Sequence, residues 1–577
     1  MNARRVTLAI ILLCATSAYA GDFHYKDRLT PTFLKQLPDI LKTYDGETGR
    51  FGTGIWICRD QDVMYPLAVA YARQMPGNKY YKDPALLEII MKAGDALIED
   101  ADKNGQWVFR KKDGSTWGNI YMPWTYSRWI RSYALIRDDM PADRRAKWVK
   151  ALTLGYEGIR KTQLKHVHNI PTHHAMGLYQ AGLALDKPEW CKQAADFMMK
   201  VIGTQAEGGY FSEGGGPVVT YDFVYVDALG TYYAMSGDER VRPALAKAAV
   251  FHRHFTYPGG QSVETVDQRN PYHDRVNAGN VGFTFTPDGR SYLKSQWDAM
   301  GWEKVSADII ASLLLFGEEG GLPDTAKDTA KPLFVLNEGG IDRAAVLRQG
   351  PWFVCLSAYT TPLLENRWIQ DRQNFVSIWH DKVELIIGGG NTKLQPAWST
   401  FTVGDISLLK HKRGDTNPKF SPRGELYHIP SAAKLVREPD AGLELTYGSE
   451  TCRASVRVVD ERTVEYHLAA TVDSGLPVAA HVTLMPTMKE KVETGGGQSF
   501  KLGEEPVNLT GEQVGGGITH AGWKIAVPAA ASLHWPAKPH NPYRKDGRAE
   551  ISEARLELRI PFDADHLEHK LTLTIVP

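Results

Sequence analysis

The chain has 577 residues, 43% hydrophobic and 23% charged, proportions that exclude a disordered or fibrous protein. Lys plus Arg and Asp plus Glu both number 67, so the formal net charge is zero. A protein that coats nucleic acid or an anionic membrane carries a basic excess, and this one does not. Single cores stop growing at roughly 250–300 residues, so the length implies two or more domains. The 15 Trp and 25 Tyr serve either a large aromatic core or faces that stack on sugar rings.

Arg4 and Arg5 precede an apolar run from Val6 to Ala15, and Ala18-Tyr19-Ala20 has the A-x-A form of a cleavage site. The run is too short to span a bilayer. Residues 1–20 are therefore expected to be a secretory signal, the mature chain starting near Gly21 and residing in the periplasm or outside the cell. No later stretch approaches transmembrane length. Cys58, Cys191, Cys355 and Cys452 follow without C-x-x-C spacing, which predicts neither a disulfide framework nor a thiolate zinc site.

Residues 21–316 carry helical apolar spacing. Helices are predicted at Asp62–Gln74, Pro84–Ile98, Ile120–Ile136, Arg144–Leu164, His173–Leu185, Glu189–Ile202, Val218–Met235 and Arg240–Phe255. Thr172 is placed as an N-cap and Gly237 as a left-handed C-cap. Ala93-Gly94 and Ala181-Gly182 permit close helix contact. Paired helices joined by short polar loops predict helical hairpins, packed as a bundle, solenoid or toroid.

Residues 317–331, polar and turn-rich from Glu318 to Lys331, read as a linker. From 332 to 577 the period becomes two. Strands are predicted at Ala345–Leu347, Trp352–Ala358, Phe375–Trp379, Lys382–Ile387, Leu443–Tyr447, Ser455–Val459, Thr463–Ala470, Val478–Met485, Leu556–Ile560 and Leu571–Val576. Many short strands parted by Gly, Asp, Asn and Pro predict an antiparallel sandwich. Gly388-Gly389-Gly390-Asn391 either turns a strand or reaches toward the cleft.

Three segments of the helical half carry candidate chemistry. His166-Val167-His168-Asn169-Ile170-Pro171-Thr172-His173-His174 sets four His and one Asn in nine residues. His173 and His174 are expected in the first helical turn, where the dipole favours neutral imidazole, a competent base; no spacing matches a zinc signature. Tyr210 to Tyr225 follows, with Glu213 before three glycines and with Tyr221 and Tyr225 four apart on one helix face. Asp222 and Asp227 are read there as solvated or capping groups. The third segment, Glu264 to Arg275, is a polar loop with Arg269, Tyr272 and His273. Between Pro141 and Ala175, seven Lys and Arg face two acids, a surplus of five that either attracts an anion or is a solvated helix face.

Ser212-Glu213-Gly214-Gly215 with Tyr221, the Asp267–Tyr272 loop, and Gly279-Asn280 with Gly289-Arg290 resemble polysaccharide lyases of the heparinase II/III and alginate-lyase type. The resemblance implies a multidomain, α-then-β fold: an N-terminal incomplete (α/α) toroid followed by a C-terminal antiparallel β-sandwich. It implies β-elimination at C4 of a uronic acid in an anionic polysaccharide or oligosaccharide, without cofactor or metal. Asn169 would neutralise the carboxylate, His173 or His174 would act as base or orienting group, and Tyr221 would be the acid or acid/base. Arg128, Glu213, Tyr225, Arg269, Tyr272 and His273 would bind substrate. The family sets an Asn directly before a His at the helix start; here His173 stands in that place and Asn169 supplies an amide from the loop. A glycoside hydrolase pairing Glu213 with Asp222 or Asp227 and a non-catalytic glycan-binding protein are the alternatives.

Overall fold

The structure, a computed structural model, describes residues 21–52, 57–110, 116–269, 275–323, 332–412 and 414–576. The predicted leader, residues 1–20, lies outside them.

The helical half contains α1 (Lys26–Leu41), α2 (Met64–Ala72), α3 (Pro84–Asp100), α4 (Pro123–Ile136), α5 (Ala142–Thr162) and α6 (Asn169–Ala184). It continues with α7 (Pro188–Ile202), α8 (Val219–Ser236), α9 (Arg242–His254), α10 (Pro287–Met300) and α11 (Ala307–Phe316). The predicted pattern did not single out α1, α10 and α11. Prolines at the first turn open α3, α4, α7, α9 and α10, where their missing N–H costs nothing. Gly237 ends α8 at φ 65, the left-handed cap expected of it.

Burial separates two layers. In α7 the buried positions Trp190, Ala194, Phe197, Met198 and Val201 form one stripe, as in an outer helix. In α2, α6 and α8 they run nearly all round, as in an inner one. The inner helices pack in sequence, α2 on α4, α4 on α6 and α6 on α8. A five-residue 3₁₀ turn, Val281–Phe285, links α8 to α11, and α11 returns to α2. The ring thus closes through a turn where a full helix would complete it. The small residues permit this packing: a Cβ on Gly94 would meet the Trp148 ring at 1.9 Å, and one on Gly182 would meet Cys191 Sγ at 2.4 Å.

The α6 boundary differs from the prediction. The helix begins at Asn169 because its backbone N–H finds a carboxylate, Glu213 Oε1, at 2.9 Å. Thr172 is inside the first turn, its hydroxyl donating to His168 O at 2.8 Å. His173 and His174 therefore lie in the second turn.

Beyond Pro332, two antiparallel sheets of eleven and nine strands stack as a sandwich among the described residues. The predicted strands recur, most extended at one or both ends, as in Ile341–Gln349 and Glu450–Asp460. Strand Trp352–Ser357 is buried on both faces. Trp352, Val354 and Leu356 enter the sandwich core, whereas Phe353 and Cys355 join the helical core. Tyr257 seals that junction, stacked on Trp379 at 4.9 Å and edge-on to Phe353 at 5.1 Å.

Two further expectations change. At the start of the predicted linker, Gly320–Gly321 pairs with Asp22–Phe23 as a two-stranded sheet; residues 324–331 lie outside the described residues. The glycine run before Asn391 does more than turn a strand. Gly389 N donates to Glu264 Oε1 and Asn391 Nδ2 to Asp267 O, both at 2.9 Å, so the run latches the sandwich to the helical half.

Candidate active site

The latch fixes a groove between the halves. On its helical side, Ser212 Oγ accepts from Gly214 N and Gly216 N, at 3.2 and 3.3 Å, folding the glycine loop on itself. Gly215 N donates to Gln268 Oε1 and Gln268 Nε2 to Thr361 Oγ1, each at 2.9 Å. One glutamine thus ties the glycine loop, the 264–269 loop and a sandwich loop together. Arg372 adds a buried tie, donating to Val266 O at 2.9 Å.

Glu213 turns inward. Its Oε1 accepts from Asn169 N at 2.9 Å and from the Tyr225 hydroxyl at 2.7 Å. Tyr225 is buried and stacks on Phe211 at 4.8 Å; burial, then the Glu213 charge, pushes its phenol well above the usual range. Both residues, expected to touch substrate, instead bolt the α6 N-terminus to α8, because a carboxylate satisfies the helix N–H better than solvent does. Asn169 Oδ1 accepts from Ile170 N at 2.6 Å. Its amide nitrogen donates to no group among the described residues.

Tyr221, one turn before Tyr225 on the same face, is half-buried. Arg269 Nη2 donates to its hydroxyl at 3.0 Å, and the guanidinium lies 4.4 Å from its ring centroid. No carboxylate pairs with Arg269 among the described residues. Arg269 also lies over Trp368 at 5.8 Å, and Arg367 covers the same ring at 4.3 Å. From Trp368 a row of rings extends: Tyr543 at 5.8 Å, Trp117 at 5.9 Å, and Phe109 stacked on Trp117 at 4.8 Å. Trp117 is 55% and Tyr543 47% exposed, so the row is open to solvent. Burial of its hydroxyl end, then the neighbouring Tyr221 phenol, pushes the Tyr543 phenol up. Aromatic faces beside guanidinium groups are the surface that an anionic sugar chain needs. The sequence reading did not single out Phe109, Trp117, Trp368, Tyr543 and Arg367. The one signal for the four rings was the excess of aromatic residues, and Arg367 had none.

The other candidates lie elsewhere. Tyr272 and His273 fall outside the described residues. Arg128 does not face the groove with a free charge: it makes two bonds to Asp308, at 3.0 and 2.6 Å. His174 is 1% exposed, neither ring nitrogen has a partner among the described residues, and burial pushes it down to about 3. His173 is equally buried, and burial followed by the Arg128 charge holds it well below its usual value. It opens onto a cavity of about 160 Å³ inside the helical ring, with Trp124, Arg128, Asp227 and Asp308. On α8 the cavity residues Phe223, Val224 and Asp227 occupy a different flank from Tyr221 and Tyr225.

The hydrolase pairing finds no support in Asp222. That residue is neither solvated nor a cap: it is fully buried, 2.6 Å from His252 Nε2, and accepts from Phe211 N at 2.7 Å. The basic surplus before Ala175 is largely paired. Arg144 binds Glu88 and Asp95, Lys147 binds Asp95, and Arg160 and Lys161 share Glu157. No group of three or more His, Cys, Asp or Glu is placed to hold a metal ion among the described residues.

No protein-family profile matches the sequence, and no curated protein sequence matches it. Solved structures do. A Paenibacillus xanthan lyase superposes with a TM-score of 0.51 at 13% identity, over 96% of this chain and 57% of that one. Heparinase III gives 0.50 at 13% identity, over 96% of this chain and 85% of the other. The chain thus spans little more than half the length of the xanthan lyase. Likeness at this identity establishes architecture, and the chain has the fold of these two structures: a helical toroid followed by antiparallel β-sheets.

Proposed function

We propose that the chain is an exported polysaccharide lyase that cleaves a uronate-containing polysaccharide by β-elimination, with Tyr221 as its acid/base. The observation that carries this reading is the Arg269–Tyr221 pair at the mouth of an open aromatic groove. The proton at C5 of a uronate is weakly acidic, because its removal piles charge onto the neighbouring carboxylate. A site must neutralise that carboxylate, take the C5 proton and protonate the departing O4. Arg269 donates to the Tyr221 oxygen and holds it in one orientation for proton transfer. Tyr221 as phenolate takes the C5 proton while the C4–O4 bond breaks and C4=C5 forms. The same proton, now on the phenol, passes to O4, so the enzyme returns to its starting state with atoms and charge balanced.

Asn169 is the neutraliser in this scheme, its free amide nitrogen donating to the substrate carboxylate. Glu213 and Tyr225 act as positioning residues, and Trp117, Trp368, Tyr543 and Arg367 form subsites. The shared fold with a xanthan lyase and with heparinase III agrees with such a chemistry. Export follows from the leader-like first twenty residues; no helix among the described residues is long and apolar enough to cross a membrane.

The test is a panel of uronate polysaccharides followed by ultraviolet absorbance. Elimination leaves an unsaturated uronate that absorbs, so at least one polymer should give a rising signal. New reducing ends without absorbance would indicate hydrolysis. Oligosaccharide binding without new chain ends would indicate a glycan-binding protein.

A further inference from the structure

The cavity that His173 faces is lined by α4, α6, α8, α11 and the 281–285 turn with Asn280 before it. Its polar wall has an unusual sign. The Ser127 hydroxyl donates to Trp124 O at 2.8 Å and receives Arg128 Nη1 at 3.3 Å. With its one proton given to Trp124 O, its 3.0 Å contact with His173 Nε2 is one it receives. In that arrangement Nε2 carries the proton of the neutral ring, and Nδ1 presents a lone pair. Among the described residues Nδ1 has no hydrogen-bond partner, although His173 is 1% exposed. Across from it, 3.9 Å away, stands Asp227 Oδ2. Two acceptors face each other, too far apart to bond and unable to bond without a donor between them.

We infer that this cavity is a binding site for a neutral, hydroxyl-rich ligand about the size of one sugar ring, distinct from the groove that holds Tyr221. A sugar hydroxyl donates, and two adjacent hydroxyls satisfy Nδ1 and Asp227 together. Trp124 supplies an aromatic wall, tilted against His173 at 5.7 Å and covered by Arg59 at 5.2 Å. The cavity, about 160 Å³, has room for one sugar ring with its hydroxyls. Charge selects against an anion. Arg128 is already committed to Asp308, an added carboxylate would stand beside Asp227 and Asp308, and the next guanidinium, Arg131, stands behind Ser312, donating to its hydroxyl at 3.4 Å and to Met176 Sδ at 3.0 Å. A metal ion is a poor occupant, since no trio of metal-ligating side chains converges among the described residues. This inference is independent of the lyase reading, because it uses none of the groove residues.

The experiment is isothermal titration of the full chain at neutral pH with neutral hexoses, pentoses and N-acetylhexosamines. Their methyl glycosides, D-glucuronate and ammonium chloride are run in parallel. At least one neutral sugar should bind one to one, with Kd raised about tenfold or more in both Asp227→Asn and Trp124→Ala. Neither glucuronate nor ammonium should displace it. A methyl glycoside that binds as well as the free sugar identifies a unit at a chain end, and a preference for the free sugar identifies a monosaccharide; both support the site. Should Asp227→Asn lose its cooperative thermal transition, Trp124→Ala carries the test alone. Absence of binding by every neutral sugar, binding unchanged in the folded variants, or tighter binding of glucuronate or ammonium would overturn the inference.

Discussion

Arg269 holds Tyr221 in two ways at once, donating to its hydroxyl at 3.0 Å and covering its ring at 4.4 Å. The hydrogen bond acts on the oxygen and the cation–π contact fixes the ring, so charge and orientation come from one side chain. Replacing Arg269 by Met should lower kcat roughly 10²–10³-fold, the range for one electrostatic stabiliser, with a smaller change in KM. Lys at this position should recover part of the loss. Steady-state kinetics of both variants on one polymer reads the difference.

Glu213 is a second hinge of the site, with Asn169 N and Tyr225 OH on the same oxygen. Tyr225→Phe removes one of two donors to a carboxylate, and a cost of about 1–3 kcal/mol in urea unfolding is expected. Its kcat should fall only severalfold, because the phenyl ring keeps its stack on Phe211. Glu213→Gln should cost more activity than Tyr225→Phe, since it weakens the anchor beneath Asn169.

The aromatic row makes its own prediction. Trp368 touches both Arg269 and Arg367 and stands between Tyr543 and Trp117. Trp368→Ala should raise KM about tenfold, from the loss of one stacked ring worth about 1–1.5 kcal/mol. Trp117→Ala, farther along the row, should raise KM less and leave kcat alone.

Buried imidazoles give the fold an acid dependence. His174 is pushed down to about 3 and His540 to about 4, both mainly by burial. For groups whose folded value is depressed, stability is present above the unfolded value of about 6.5 and is lost as pH falls toward the folded one. Each contributes a slope of up to about 1.4 kcal/mol per pH unit in that window. Asp62, raised to about 6 by burial, works in the opposite sense between its unfolded value and 6. Comparison of urea unfolding at pH 7 and pH 5 between the parent and His174→Leu isolates one group: the variant should show the shallower loss.

The interdomain latch sets the groove. Asn391 Oδ1 accepts from Gln373 N and Asn374 N, at 3.0 and 3.1 Å, while its Nδ2 reaches Asp267 O. Asn391→Ala leaves these buried groups unpaired, and a loss of about 1–3 kcal/mol or more is expected by calorimetry. KM should rise with it, because the two walls of the groove are no longer held in register.

Periodicity carried the architecture. The inner helices were legible because apolar residues recur at helical spacing, and the sandwich because alternation sets in after Pro332. The boundary of α6 was not legible, since the group that starts it, Glu213, is 44 residues away in sequence. That displacement carried His173 and His174 from the expected first turn into a buried second one. Four imidazoles in nine residues resembled a catalytic cluster; burial, which a local pattern does not report, directed His173 toward the cavity it shares with Asp227 and His174 into the core. Tyr221 and Arg269 were both visible as candidates, but their contact spans 48 residues and joins a helix to a loop. The aromatic row was least legible of all. Trp117, Trp368 and Tyr543 stand far apart in the chain, and only the docking of sandwich on toroid brings them together.

The most direct measurement is the turnover of Tyr221→Phe, followed by ultraviolet absorbance on the polymer that the parent chain cleaves fastest, with thermal melting as the check on folding. Loss of the phenolic oxygen removes both the base and the acid, so turnover should fall by at least about 10²–10⁴-fold while the melting transition stays in place. Parent-like turnover in the folded variant would contradict the account.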